Sequence, residues 1–538
     1  MHSLNTRRTL LAAVLISLSL AADASAQSCP VSGTFNGSIG AGDLAQVGRM
    51  AQFDPPSDCG GPKPYPGTVD ALPRRFDQYN FTNTSAALAC VRVTVNPSGC
   101  GGNEIHSAAY LGSFNPADVS QNYLGDSGAQ DDPTLPFSYS FNVPAGASFA
   151  VVVHETDAGT GCAAYTMTVD CGTPGAGAGQ VLISEFRLSG PGAATGDGTD
   201  PRDEFIELFN TTGAPILVGR YVIRAHDPAF GDFEFPIPPG TTIPAFGRLL
   251  IGDSAGYSLS GYATLDIDTL AFFDGDVFID NEGFQLVGPP GNNIVVDSVG
   301  FAGGGNAAQY VEGAGLTRRS STPDVQYSYV RKPNVGGHRD TNNNAADFEI
   351  VSVTGETFAE AGPTQLGAPG PHNLASPRPL GGVQIFLLDP TKPASSEPNR
   401  VRNLNPVPNG PLGTLSVQRR ITNNTASPVT RLRFRFFDIT TLNTPGYTPG
   451  GPQADLRVLS SSGVVTRTDG SVVVTVQGTT LEQPPDQPNG GGYNSTVAAG
   501  TVTLSNPLMP GASIDLQFLA GVVQGGSFRF IVVVEQVQ

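Results

Sequence analysis

Glycine and proline interrupt this chain so often that no long helix fits between them. There are 67 Gly and 45 Pro in 538 residues, about one residue in five, where average usage is about 12%. Proline removes a backbone donor and glycine weakens helix interiors. Charged residues make up only 14%, and Lys63, Lys332 and Lys392 are the only lysines, so the residues that fill exposed helix faces are scarce. Helical bundles, coiled coils and doubly wound α/β enzymes are therefore excluded. Hydrophobic residues at 39%, in short β-branched runs, argue against general disorder. A turn-rich, all-β protein is expected, and its length calls for several domains.

The first 26 residues read as a cleaved signal peptide. Arg7 and Arg8 form a basic start, Leu10 to Ala22 an apolar core, and Ala24-Ser25-Ala26 a small-residue cleavage site. Thr6-Arg7-Arg8-Thr9-Leu10-Leu11 also fits a twin-arginine export signal loosely. No later stretch has the 18 or so apolar residues of a membrane span, so an exported protein is expected: secreted, periplasmic or on the outer surface. Removing Arg7, Arg8 and Asp23 takes the formal charge from −18 to −19. Such an acidic chain repels phosphate backbones, which excludes nucleic acid as a partner.

All six cysteines lie in the first third, and in an exported chain they read as three disulfides. Ala163 to Asp170 alternates as a strand, which sets Cys162 and Cys171 about 30 Å apart, beyond bridging distance. Cys90 and Cys100 bracket another strand in the same way. If the two strands are antiparallel neighbours, the pairs are Cys90–Cys171 and Cys100–Cys162, leaving Cys29–Cys59.

Two Pro/Gly-rich stretches, 172–179 and 361–382, read as linkers. They divide the mature chain into 27–171, 180–360 and 383–538, each expected to fold as a β-sandwich. In the first segment Phe137–Val143 alternates, the turn Pro144-Ala-Gly-Ala147 follows, and Phe149, Val151 and Val153 resume, a strand–hairpin–strand pattern. Phe76-Asp-Gln-Tyr-Asn-Phe-Thr82 and Asn142 to Val153 resemble the jelly-roll sandwiches of prepeptidase C-terminal domains. In the middle segment the blocks Val181–Phe186, Asp203–Asn210, Gly219–Ile223, Thr242–Ile251, Asn281–Val287, Asn293–Val299, Ser328–Arg331 and Asp340–Phe348 come in an order that resembles a lamin-tail domain. That resemblance implies an immunoglobulin-like sandwich; Tyr221 stands where the family often has Trp. In the third segment Arg431-Leu-Arg-Phe-Arg-Phe436 alternates strictly, and Val472, Val474 and Val476, Ile514, Leu516 and Phe518, and Phe528–Val534 supply further strands.

Motifs with chemical potential are few. Gly252-Asp-Ser-Ala-Gly256 has the spacing of a nucleophile elbow, but Tyr257-Ser-Leu-Ser-Gly261 does not begin the helix an elbow requires. Gly125-Asp-Ser-Gly128 fits a serine-protease loop, with His106 as the only upstream mature histidine. Both are simply accounted for as turns. His106, His154, His226, His338 and His372 are scattered, without a metal-binding spacing. Carboxylates and amides at Asp197, Asp200, Asp203, Asp340, Asn342 and Asn344 offer hard oxygen ligands suited to calcium, although Asp340-Thr-Asn-Asn-Asn344 departs from an EF-hand at its sixth and twelfth positions. Arg431, Arg433 and Arg435 share one strand face, either a solvated face or a stripe for an anionic polymer. The sequence thus predicts a monomeric, non-enzymatic exported protein with no obligate cofactor. It is read as a surface interaction or adhesion module whose partner is an unidentified protein or polysaccharide. A calcium- or carbohydrate-binding module is the alternative, and a secreted hydrolase with loop-borne groups the third.

Overall fold

The computed structural model describes residues 31–538 apart from 53–55, 60–62, 86–87, 129–133, 172–175, 177–178, 189, 192–202, 228–230, 270–282, 290–293, 304–306, 318–324, 335–336, 359–361, 445–452, 469–471 and 484–487. The signal-peptide expectation falls outside this range. Strands dominate: among the described residues the only helices are Asn344–Asp347 and a single 3-10 turn. No helix there is long and apolar enough to cross a membrane.

Three pairs of sheets each enclose an apolar core. In the first, Gly33–Ile39, Cys162–Cys171, Ala89–Asn96 and Phe137–Val143 form a four-stranded sheet in that order. It faces a five-stranded sheet of Ala45–Val47, Pro73–Thr82, Ser148–Glu155, Ile105–Leu111 and Tyr123–Asp126. Val91, Val93, Phe141, Phe149, Val151 and Met167 interdigitate between them, as the period-two alternation requires. The expected hairpin of Phe137–Val143 with the strand at 149–153 does not form. The first pairs with Ala89–Asn96, whereas Ser148–Glu155 lies in the opposite sheet between Pro73–Thr82 and Ile105–Leu111. Ala150 and Val152, on its second face, pack with Met50, Phe76 and Tyr110 in a further apolar cluster. A strand buried on both faces belongs at a sheet centre, so Pro144–Ala147 carries the chain across the core.

The disulfides correct two of the three expected pairs. Cys100–Cys162 is present, with Cα atoms 4.3 Å apart. Cys90, however, bonds Cys59, which overturns both Cys90–Cys171 and Cys29–Cys59; Cys171 is itself disulfide-bonded. The strands are antiparallel neighbours as expected, but Cys171 sits opposite Val91. That one-residue offset turns Cys90 to the other face, where the segment carrying Cys59 crosses: Asn142, the cross-strand partner of Cys90, donates to the Cys59 carbonyl at 2.8 Å.

In the middle portion a seven-stranded sheet runs Ile267–Asp268, Arg248–Gly252, Phe205–Asn210, Val181–Arg187, Tyr327–Arg331, Phe348–Ser352 and Gln365–Leu366. It packs on Gly231–Pro236, Val222–Asp227, Gly283–Val287 and Val295–Gly300 around Ile183, Phe186, Leu208, Leu249, Phe284 and Tyr329. Tyr221 explains its own presence: its ring is buried and its hydroxyl donates to the Ala176 carbonyl at 2.6 Å. In the third portion Val383–Leu387, Thr414–Asn423, Ser513–Gln524 and Asp455–Leu459, with Arg400–Asn403 alongside, face Thr480–Gln483, Thr496–Ala498, Arg431–Ile439 and Phe530–Val537. Leu432, Phe434, Phe436, Leu516 and Phe518 fill the space between.

The stretch 361–382 is not a loose tether between the second and third sandwiches. Gln365–Leu366 pairs with Phe348–Ser352 as an edge strand. Gly367 donates to Ser352, and Ala368 to Tyr493 of the third sandwich at 2.9 Å. Residues 365–372 are all buried.

Candidate functional site

Of the residues expected to bind calcium, Asp197 and Asp200 lie outside the described residues. Asp203 is buried and paired with Arg187, and it accepts the Ser258 amide at 2.9 Å. Asn344 is spent inside the fold: its carbonyl accepts the Gly300 and Glu312 amides and its NH2 donates to Ser298. Asn342 is exposed, at φ 51°. Asp340 instead joins two residues not singled out in the sequence. One oxygen each from Asp297, Glu312 and Asp340 lie within 4.8 Å of one another. Asp297 sits on strand Val295–Gly300, Glu312 on the loop after it and Asp340 ahead of the short helix, so only the fold unites them. Burial, opposed by Arg331, raises the Asp297 carboxyl to about 6. Burial and the neighbouring Asp297 push Glu312 to about 7. Arg331 serves as an internal counter-charge, 2.6 Å from Asp297 and 3.7 Å from Asp340. The trio has the oxygen chemistry to hold a hard cation.

A second cluster lies in the first sandwich, where cross-strand pairing brings two of the scattered histidines together. His106 faces His154 in register, with Nδ1 to Nε2 at 3.3 Å. His106 Nε2 lies 3.6 Å from Asp126, and Lys63 Nζ is 2.9 Å from the same Oδ1. Tyr123 donates a short hydrogen bond to Oδ2. Burial would raise Asp126, yet His106, Tyr123 and Lys63 together hold its carboxyl below the usual range. Burial and the neighbouring His106 depress His154 to about 3. The Gly125–Gly128 motif thus supplies Asp126 to this cluster, while Ser127 Oγ accepts the Ser107 amide at 3.3 Å. Ser254 lies in a strand-end turn and donates to Asp268; no histidine is among its hydrogen-bond partners in the described residues.

The third cluster joins the second and third sandwiches. Alternation did place Arg433 and Arg435 opposite Phe434 and Phe436, but their face is covered, at 2% and 3% exposure. Of the expected stripe only Arg431 is exposed, and it pairs with Glu482 at 3.4 Å. Glu535, opposite Arg433 in register, binds Arg433 at 2.6 Å and Arg435 at 3.0 Å. From the seven-stranded sheet, Glu207 meets Arg248 at 3.1 Å and accepts the His372 amide at 2.6 Å. His372 also contacts Arg435. Glu185 accepts from Ser328, Gly370 and Asn494. Burial and Glu207 push Glu185 upward. Glu207 and Glu535 are held down against burial by their arginines and His372. Burial, then Arg435 and Arg248, lowers His372 to about 4.

The molecule is an all-β protein of stacked sheet pairs. No model of a known protein family matches it, and no curated protein does. Among solved structures, the pre-peptidase C-terminal domain of a Bacillus anthracis collagenase is similar at 18% identity over 26% of this chain and 90% of that one, with a TM-score of 0.16. A GH2 beta-galacturonidase from Eisenbergiella tayi is similar at 10% identity over 42% of this chain and 36% of its own, TM-score 0.15. A putative membrane anchored protein from Corynebacterium diphtheriae is similar at 10% identity, covering 94% and 92%, TM-score 0.13.

Proposed function

We propose that this chain is an exported, non-enzymatic interaction module, a stiff series of β-sandwiches that holds binding loops away from their point of attachment. The lamin-tail resemblance of residues 180–360 and the prepeptidase C-terminal resemblance of the first segment belong to this reading. So does export after removal of residues 1–26. The observation that carries it is the buried network of Glu185, Glu207, Arg248, His372, Arg433, Arg435 and Glu535, which fixes one sandwich against the next. Disulfides within the first sandwich add to that stiffness and suit an oxidising compartment. Purified mature protein is expected to bind a surface polysaccharide or matrix protein on an array while turning over no ester, peptide or phosphodiester. Turnover abolished by Ser127→Ala or Ser254→Ala would overturn the reading.

A second reading, calcium binding in the middle sandwich, is favoured by the convergence of Asp297, Glu312 and Asp340. Calorimetry with Ca²⁺ is expected to show one site that Glu312→Gln abolishes; no heat with the wild-type protein would exclude it.

A further inference from the structure

Lys63 is the one buried lysine; Lys332 is half-buried and Lys392 exposed. Its side chain is 4% exposed and that of its partner Asp126 is 0%. The chain ahead of Lys63 is anchored beside Asp126 at Ser57 and Cys59. The Ser57 amide donates to the Asp126 carbonyl at 2.9 Å, the Asp126 amide donates to Ser57 Oγ at 2.8 Å, and Cys59 is bonded to Cys90. Amine and carboxyl are therefore held in contact inside the protein. Fixed proximity gives intramolecular reactions a high effective concentration.

The remaining contacts suit acyl transfer. His106 Nε2 is buried, lies 3.6 Å from Asp126 Oδ1, and has no hydrogen-bond partner among the described residues. The Gly128 amide donates to Oδ1 at 2.6 Å, and the Tyr123 hydroxyl donates to Oδ2. This gives a nucleophile, a carbonyl carbon oriented by the Gly128 amide, a proton carrier in His106 and, in Tyr123, a donor for the oxyanion developing on Oδ2.

We propose that Lys63 and Asp126 become joined by an intramolecular amide bond. The cluster holds the resting carboxyl ionised, so the reaction starts from the form in which the ammonium has passed a proton to Oδ1, its contact at 2.9 Å, giving a neutral amine and a neutral acid. The Nζ lone pair adds to Cγ, with Tyr123 stabilising charge on Oδ2. The Cγ–Oδ1 bond then breaks as His106 transfers a proton from nitrogen to the departing oxygen. One water leaves and one C–N bond remains; no oxidant, reductant or co-reactant is consumed. Like the disulfides, the bond ties the first sandwich to itself, but reductants do not cleave it.

The test is mass spectrometry of the folded, mature protein after disulfide reduction. The expected mass is 18 Da below that of the processed sequence. Proteolysis is expected to release a branched peptide joining the segments around Lys63 and Asp126, which separates the bond from dehydration elsewhere. Lys63→Arg keeps the positive charge without a nucleophilic amine, so it should show the full mass, no branched peptide and a lower melting temperature. His106→Gln should leave part of the protein unlinked. Folded wild-type protein that yields only linear peptides containing Lys63 and Asp126 would overturn the proposal.

Discussion

Replacing Glu535 with Gln changes almost nothing in shape and removes the one carboxylate that both Arg433 and Arg435 contact. Glu535 is 1% exposed and the two arginines 2% and 3%, so solvent cannot take over its role. Arg248 Nη1, 3.9 Å away, loses part of its counter-charge too. Breaking a buried pair by neutralising one partner costs about 3–5 kcal/mol, because the other charge stays buried without compensation. At about 2–4 °C per kcal/mol for units of 150–250 residues, the melting temperature of the second and third sandwiches should fall by roughly 10 °C. Asp170→Asn is the control: its pair with Arg92 is 37% and 50% exposed, and exposed pairs contribute roughly 0–1 kcal/mol. Differential scanning calorimetry of both variants at neutral pH decides the matter. The acid limb gives a second readout. The Glu535 carboxyl is depressed in the folded state, so its contribution is present above the unfolded value of about 4.3 and is lost as pH falls below it. The variant's stability should therefore depend less on pH in that range. If Glu535→Gln melts with the control, water permeates the contact and the two sandwiches are not locked together.

Four other outcomes are expected. His154 is depressed to about 3 in the folded state, so its share of stability is complete above about 6.5 and declines as pH falls from there toward 3; melting curves between pH 7 and 4 should show this, and His154→Gln should flatten them. Gly367→Ala places a Cβ 2.1 Å from the Tyr493 carbonyl oxygen, so the strap must shift and the common melting transition of the second and third sandwiches should drop; an unchanged transition would contradict the close packing. Paired Cys59→Ser and Cys90→Ser should cost about 2–4 kcal/mol in the first sandwich while the other transition stays put, as resolved by calorimetry. Glu312 is raised to about 7, so its share of stability, complete below the unfolded value of about 4.3, is lost as pH climbs from there to 7; Glu312→Gln should melt higher than wild type at pH 8, and equal melting there would refute the strain.

The strand pattern was legible because alternation is a local property. Arg431 to Phe436 shows both its reach and its limit: the pattern sorts Arg433 and Arg435 from Phe434 and Phe436, but it cannot say what covers the arginine face. Ser148–Glu155 fails as a hairpin partner for a similar reason, since pairing depends on which sheet has room for a strand apolar on both sides. Composition misled most at 361–382. Gly367 is small because the Tyr493 backbone comes so close, and small residues required by packing look the same as those of a flexible tether. The candidate cation group was half-visible: Asp340 stands in a conspicuous turn, whereas Asp297 sits inside an ordinary strand and Glu312 in a plain loop. His106 and His154, 48 positions apart, meet only through a register that no short window contains. Cys90 shows how finely register decides chemistry, since a shift of one residue exchanges one sulfur partner for another.

The way the strap is woven has a practical consequence for anyone dissecting the protein. A cut near residue 360, the place that Pro and Gly content invites, would take an edge strand from the middle sheet and uncover Glu185 and Glu207 together. The fragment would carry bare acidic groups on a surface shaped to be an interior, and aggregation is its natural fate. Cloning boundaries that respect the weave start ahead of Ala176, the acceptor of the buried Tyr221 hydroxyl, and run through the third sandwich, keeping both halves as one folding unit.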